Sequence, residues 1–198
     1  MAASTKRQRL SRQERHQQLI EIAWQIIREE GTEALTLGRL AECASVTKPV
    51  VYDHFTSRSG LLAALYQEYD RRQAARMEEM LRNAAPVLDQ LASTIAIAYV
   101  ECVLLQGREM PQLMAALAGT PELEQIRQAF ARTFTAQCRQ LFAPFSHQPL
   151  EDAALYAMLG AAEGLSWAAV QGVITEQQAK DELCQVIVAM VQRSRADR

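Results

Sequence analysis

Residues 46–55 read VTKPVVYDHF, and they gather several groups able to bind an anion. Lys48 supplies a fixed positive charge, and Tyr52 and His54 supply donors suited to phosphate oxygens. Thr47 adds a hydroxyl, and Val50 could touch a thymine methyl. These polar groups are too few to solvate a whole surface and too many to build a core. The pattern fits a short element with two faces. Val46, Val51 and Phe55 would pack inward, leaving Thr47, Lys48, Val50, Tyr52 and His54 to meet a partner.

The flanking sequence supplies the elements needed to hold such a face. At 11–14, SRQE is a capping box in which the Ser11 hydroxyl and the Glu14 carboxylate each take a free backbone N–H. A helix follows with Leu19, Ile20, Ala23, Trp24, Ile26 and Ile27 on one side, closed by Gly31. Thr36 can cap a second, short helix (LGRLAECA) and Thr47 a third (KPVVYD), with only Ser45 and Val46 between them. Pro49 is tolerated in the first turn of a helix, where N–H groups are unbonded anyway. Ala41 is small enough to let two short helices cross closely. A supporting helix followed by helix, tight turn and helix is a helix-turn-helix arrangement.

The rest of the chain bounds the possibilities. With 49% apolar and 22% charged residues, and only 8 Gly and 6 Pro in 198, the composition is globular and favours helix throughout. The net charge of −2 conceals a basic start: Lys6, Arg7, Arg9, Arg12 and Arg15 stand against Glu14 alone in residues 1–15. A polyanion would bind at that end. Cys43, Cys102, Cys138 and Cys184 lie far apart in apolar helical contexts, which reads as small buried hydrophobes in a reducing cytoplasm. No metal spacing, cofactor motif or signal peptide is visible, and apolar runs such as 153–162 look too short for a membrane. His16, His54 and His147 sit in unrelated sequence contexts, and no nucleophile–base constellation accompanies them, so an enzyme is not expected. Ser57 caps a long helix to about Asn83. Further helices read as 87–106, 110–118, 121–143, 149–172 and 175–195.

From ERHQQLIEIAWQIIREEG through TLGRLAECASVTKPVVYDHFTSRSGLLAALY, residues 14–66 resemble the DNA-binding domain of TetR-family (tetracycline-repressor-like) regulators. The resemblance implies an all-α fold: a DNA-binding domain at 1–57 and a helical ligand-binding and dimerisation domain at 58–198. It also implies that Thr36 and Arg39 approach the phosphate backbone and that Thr47, Lys48, Pro49 and Val50 face bases. Tyr52 and His54 would contact phosphate, with Arg58 clamping it nearby. Ser45 stands where the family usually has Gly in the turn, and Gly60 leaves the Ser57 capping box incomplete. The basic arm either extends the DNA contact or is simply solvated.

In the C-terminal part, Gly160, Gly164 and Ala168 recur every four residues, and Leu183, Val186, Ile187 and Met190 form an apolar stripe. The resemblance implies that 149–172 and 175–195 of two subunits form a four-helix homodimer interface. The alternative is that the small residues admit a helix of the same chain. The implied function is a cytoplasmic repressor that binds a double-stranded DNA operator and is released by a small-molecule effector, with no cofactor and no membrane. A DNA-binding activator or partner-regulated factor is the alternative. Gln90, Thr94, Glu101 and Arg108 align as a polar stripe. It either faces water or lines a ligand cavity with Tyr66, Phe130, Phe134 and Trp167 as apolar walls. In a cavity, Glu101 would favour a cationic or hydrogen-bond-donating ligand unless Arg108, Arg132 or Arg139 neutralises it.

Overall fold

The local signals at the N-terminus form the caps they specify. In the computed structural model, which describes residues 10–105 and 109–194, α1 spans Arg12–Glu30. Glu14 N–H donates to the Ser11 hydroxyl at 3.2 Å, and Ser11 N–H donates to the Glu14 carboxylate at 2.7 Å. α1 buries Leu19, Ile20, Ala23, Ile26 and Ile27, then stops at Gly31, whose φ of 87° suits a residue without Cβ. A 3-10 turn (Thr32–Ala34) leads into α2 (Leu37–Cys43) and α3 (Lys48–His54). The remaining helices are α4 (Arg58–Asn83), α5 (Leu88–Leu104), α6 (Glu109–Leu117), α7 (Pro121–Phe142), α8 (Asp152–Val170) and α9 (Glu176–Arg193). No strand occurs among the described residues.

The chain forms two compact units, Met1–Gln67 with Glu109–Glu122, and Glu68–Arg108 with Leu123–Arg198. The division falls inside α4. In the first unit, Leu40, Val51, Leu61 and Leu65 are fully enclosed beside the α1 residues. α6 adds Met110, Leu113 and Leu117, a return of the chain that no sequence signal announced. It is tied in by the Thr32 hydroxyl donating to Gln112 at 3.4 Å, and the Ser59 hydroxyl donates to Glu122, in the first turn of α7, at 2.8 Å.

The second unit is built on α5, α8 and α9, which pack against one another. Its core includes Ile95, Phe134, Phe142, Leu155, Met158, Leu183, Ile187 and Met190. Three of the four residues in the predicted α9 stripe are therefore buried within their own chain, and only Val186 is left half-buried. The small residues of α8 behave differently. Gly160 and Gly164 are exposed, and a Cβ at either would meet nothing within 4 Å. They do not admit a neighbouring helix of the same chain. Around them Tyr156, Trp167, Val170 and Val173 also lie open, Trp167 being 62% exposed.

Two further expectations change. Cys43 is exposed; Cys138 is buried, and Cys102 and Cys184 are partly covered. α8, with 19 residues, is long and apolar enough by composition to cross a membrane. Its buried side joins the core just described.

Candidate nucleic-acid interface

α2 and α3 are joined by a turn that imposes a conformational cost. Val46 N–H donates to Ala41 carbonyl at 3.0 Å, and this closure places Ser45 at φ 51°. A residue with a Cβ is strained there, by roughly 1–2 kcal/mol. Ala41, Val51 and Phe55 are buried beneath the pair, as the inward face requires. Above them Thr47, Lys48, Pro49 and Tyr52 are exposed and Val50 is half-buried.

Thr47 has the extended backbone of a cap, but its hydroxyl makes no capping bond. The reason is local. Pro49 has no N–H to offer, and the next one, on Val50, donates to the Thr47 carbonyl at 3.0 Å. The hydroxyl is left free at the outer face. Gly38 adds a feature unnoticed in the sequence: a Cβ there would sit 3.7 Å from Lys48 Cε. That is ordinary contact distance, so the lysine stem lies against α2 at this point.

Several residues assigned to phosphate are already engaged. Thr36 accepts from Arg39 N–H at 3.0 Å, capping α2. The Arg39 guanidinium donates to both Glu30 oxygens, at 2.7 and 3.1 Å, and sits 3.5 Å from Glu42. Its hydrogen bonds hold the Glu30 carboxyl below its usual range. Arg58 donates to the carbonyls of Leu35 and Thr32 at 2.9 and 2.8 Å, fastening the start of α4 to the turn before α2.

His54 has a neighbour the sequence did not reveal. The rings of His16 and His54 lie 5.6 Å apart, and His16 also packs 5.2 Å from Phe55. Beside them Arg12 donates to the Asp53 carbonyl at 3.2 Å. Burial first, then the nearby His16, Arg12 and Arg15, hold the His54 imidazole below its ordinary value, with Asp53 opposing them. The basic residues Lys6, Arg7 and Arg9 lie outside the described residues.

The residues assigned to a ligand are not all brought together. Tyr66 belongs to the first unit, and the other five belong to the second. Phe130 and Phe134 stack at 5.6 Å, with Tyr99 at 6.4 and 5.5 Å from them. Trp167, by contrast, projects outward. Thr94 donates to the Gln90 carbonyl at 2.8 Å, and Arg108 lies outside the described residues. Glu101 is partly covered and paired twice, with Arg76 at 3.1 Å and Lys180 at 2.8 Å. Neither of these partners is an arginine proposed from sequence, and Arg139 instead bonds the Leu150 carbonyl and Asp152. An open groove of about 510 Å³ runs between α7 and α8, flanked by Arg127, Arg132, Tyr156 and Glu163. No cluster of metal-ligating side chains occurs among the described residues.

Residues 19–65 match the family described as "Bacterial regulatory proteins, tetR family". The chain is 30% identical over 87 residues to the HTH-type transcriptional activator FasR of Mycolicibacterium smegmatis, a stretch covering 44% of this chain and 40% of that protein. Among solved structures it is similar to a transcriptional regulator from Pseudomonas aeruginosa PAO1, with a TM-score of 0.69 and 16% identity, over 96% of this chain and 99% of the other. It is also similar to the fatty acid degradation regulator FadR from Bacillus halodurans, with a TM-score of 0.63 and 15% identity, over 87% and 97% of the two chains.

Proposed function

Because the chain belongs to the TetR family of bacterial DNA-binding transcriptional regulators, we propose that it is a homodimeric repressor released from a palindromic operator by a small-molecule ligand. The observation that carries the reading is the outer face of α2–α3. Thr47, Lys48 and Tyr52 are exposed there, and their side chains make no hydrogen bond to any of the described residues. In this reading Tyr52 and His54 fix register on phosphates, while Thr47, Lys48, Pro49 and Val50 approach base edges. Thr36, Arg39 and Arg58 serve mainly to hold the reading head in shape.

One short recognition helix covers one half-site, so a specific contact calls for two copies and a two-fold operator. The open apolar stripe of α8 is the surface that supports dimerisation, since apolar side chains grouped this way lose contact with water when a second copy covers them. A ligand held by the second unit would act as inducer by favouring a state in which the two recognition helices no longer match successive grooves. The aromatic group of Tyr99, Phe130 and Phe134 supports a ligand with an apolar body. The paired Glu101 weakens the case for a cationic one. The protein would act in the cytoplasm, where its DNA is.

The similarity to FasR, an activator by name, favours a second reading in which the chain activates transcription. Selection of duplex DNA by the purified protein, followed by transcript measurement at the promoters recovered, separates the two. Deleting the gene raises those transcripts if the protein represses and lowers them if it activates. Failure to enrich any sequence would refute operator recognition itself.

A further inference from the structure

We propose that His16 and His54 together form a proton-operated contact for one backbone phosphate of DNA, so that the protein tightens its grip on DNA by taking up a proton. The proposal rests on the DNA-binding reading and adds to it a residue from outside the helix-turn-helix, His16 of α1.

Three observations lead there. The two rings are 5.6 Å apart, close enough for a single phosphate group to accept from both. Both side chains are half-exposed, and none of their ring nitrogens has a hydrogen-bond partner among the described residues. His54 ends α3, two residues after exposed Tyr52, and His16 meets it from α1. The charged groups that bear on His54 are Arg12, Arg15 and His16 from α1 and Asp53 from its own helix. Arg12 is 3.7 Å from the Asp53 carboxylate, which partly neutralises it. Arg15 is turned to Gln18 at 2.5 Å.

The free protein therefore disfavours charge on His54, since burial and neighbouring cations both oppose an imidazolium there. A phosphate between the rings reverses the balance, because an opposite charge at hydrogen-bond distance stabilises the protonated form. The sign of the linkage follows. A group held at a higher pKa in the complex than in the free protein contributes affinity that is fully present below its free value. That contribution disappears as pH rises through its bound value. The window falls in the imidazole range, between about pH 6 and about pH 8. The alternative role for His16 is packing on Phe55, which would affect folding and leave no proton linkage.

The test measures affinity by fluorescence anisotropy across that window at fixed salt. Two probes are used: mixed-sequence duplex DNA and a duplex enriched by selection with the wild-type protein. Wild type should lose affinity on the order of tenfold from about pH 6 to about pH 8 on both probes. His16→Gln should reduce that loss to about threefold or less. His16→Lys, with a permanent charge, should retain near pH 8 much of the affinity that wild type shows near pH 6. In parallel, the His54 ring titration, followed by NMR of the wild-type protein, should move to higher pH when duplex is added. A flat pH profile in wild type, an undiminished slope in His16→Gln, or an unmoved His54 titration overturns the proposal. If His16→Gln fails to fold, the wild-type NMR titration decides. Absence of binding to either probe at every pH would instead remove the DNA-binding reading.

Discussion

Replacing Gly164 by arginine separates folding from assembly. In the single chain the position is exposed and a Cβ there meets nothing within 4 Å, so the new side chain runs into solvent. Glycine inside a helix is roughly 1 kcal/mol worse than a good helix former, so the mutant subunit should gain up to about 1 kcal/mol in stability. In the proposed dimer, position 164 lies in the apolar stripe between Tyr156 and Trp167. An arginine there must bury its charge or hold the two α8 helices apart, and either outcome is costly. The scale comes from Trp167, which is 62% exposed in the single chain. A tryptophan can bury up to about 250 Å², leaving about 150 Å² per subunit for a partner to cover. At about 25 cal/mol per Å² that is at most ~4 kcal/mol on each side. Losing half of it in both subunits weakens the dimer by roughly three orders of magnitude. Sedimentation velocity over a concentration series measures the dissociation constant, and urea unfolding checks the subunit. Trp167 emission, read in a Trp24→Phe background, reports whether the stripe is covered. A mutant with a raised unfolding midpoint and an unchanged dissociation constant would refute this placement of the interface.

At the reading face, Tyr52→Ala should weaken binding to all sequences, whereas Val50→Ala should change base preference. Lys48→Ala should lower the slope of log affinity against log salt by about one if the lysine contacts phosphate; anisotropy titrations show whether it does. Glu101→Gln removes both ion pairs and leaves the Lys180 ammonium, only 13% exposed, with Glu176 alone. We expect a loss of about 1–2 kcal/mol in chemical denaturation, since the site is only partly buried; an unchanged midpoint would show the pairs to be idle. Glu68 is held at about 2, first by its hydrogen bond to Arg71 and with help from Arg72, against an ordinary value of 4.5. Its contribution is present above the ordinary value and is lost as pH falls toward about 2. Because both arginines are more than half exposed, screening keeps it below about 1 kcal/mol. Glu68→Gln should flatten the acid limb of the stability curve by that amount.

The first sixty residues were legible because their signals are local. Ser11 with Glu14, Gly31, Thr36 and Pro49 each act within one turn of the element they bound, and all appear where the spacing puts them. The helices of the second unit were also legible, from proline and glycine at their ends. Their partners were not. Periodicity marks Leu183, Ile187 and Met190 as one apolar face, but it does not say whether that face meets its own chain or another. Glu101 finds Arg76 at a separation of 25 residues and Lys180 at 79, distances at which a list of nearby arginines misleads. The pairing of His16 with His54 was missed for the same reason. A pair from two helices becomes visible only once those helices are packed. Nor did the position of Arg58 at a helix start announce that its guanidinium would reach the carbonyls of Leu35 and Thr32.

Cys43 gives the molecule an unplanned chemical handle. It stands at the end of α2, just before the strained turn into the recognition helix, and it is the exposed one of the four thiols. Burial pushes the other three thiols up, Cys138 to about 12, so they hold little thiolate at neutral pH. A maleimide dye or spin label applied briefly near neutral pH should thus settle on the reading head with no cysteine removed. Distance measurements between two such labels would report the spacing of the two heads in an assembled dimer. The wild-type chain can serve as its own ruler.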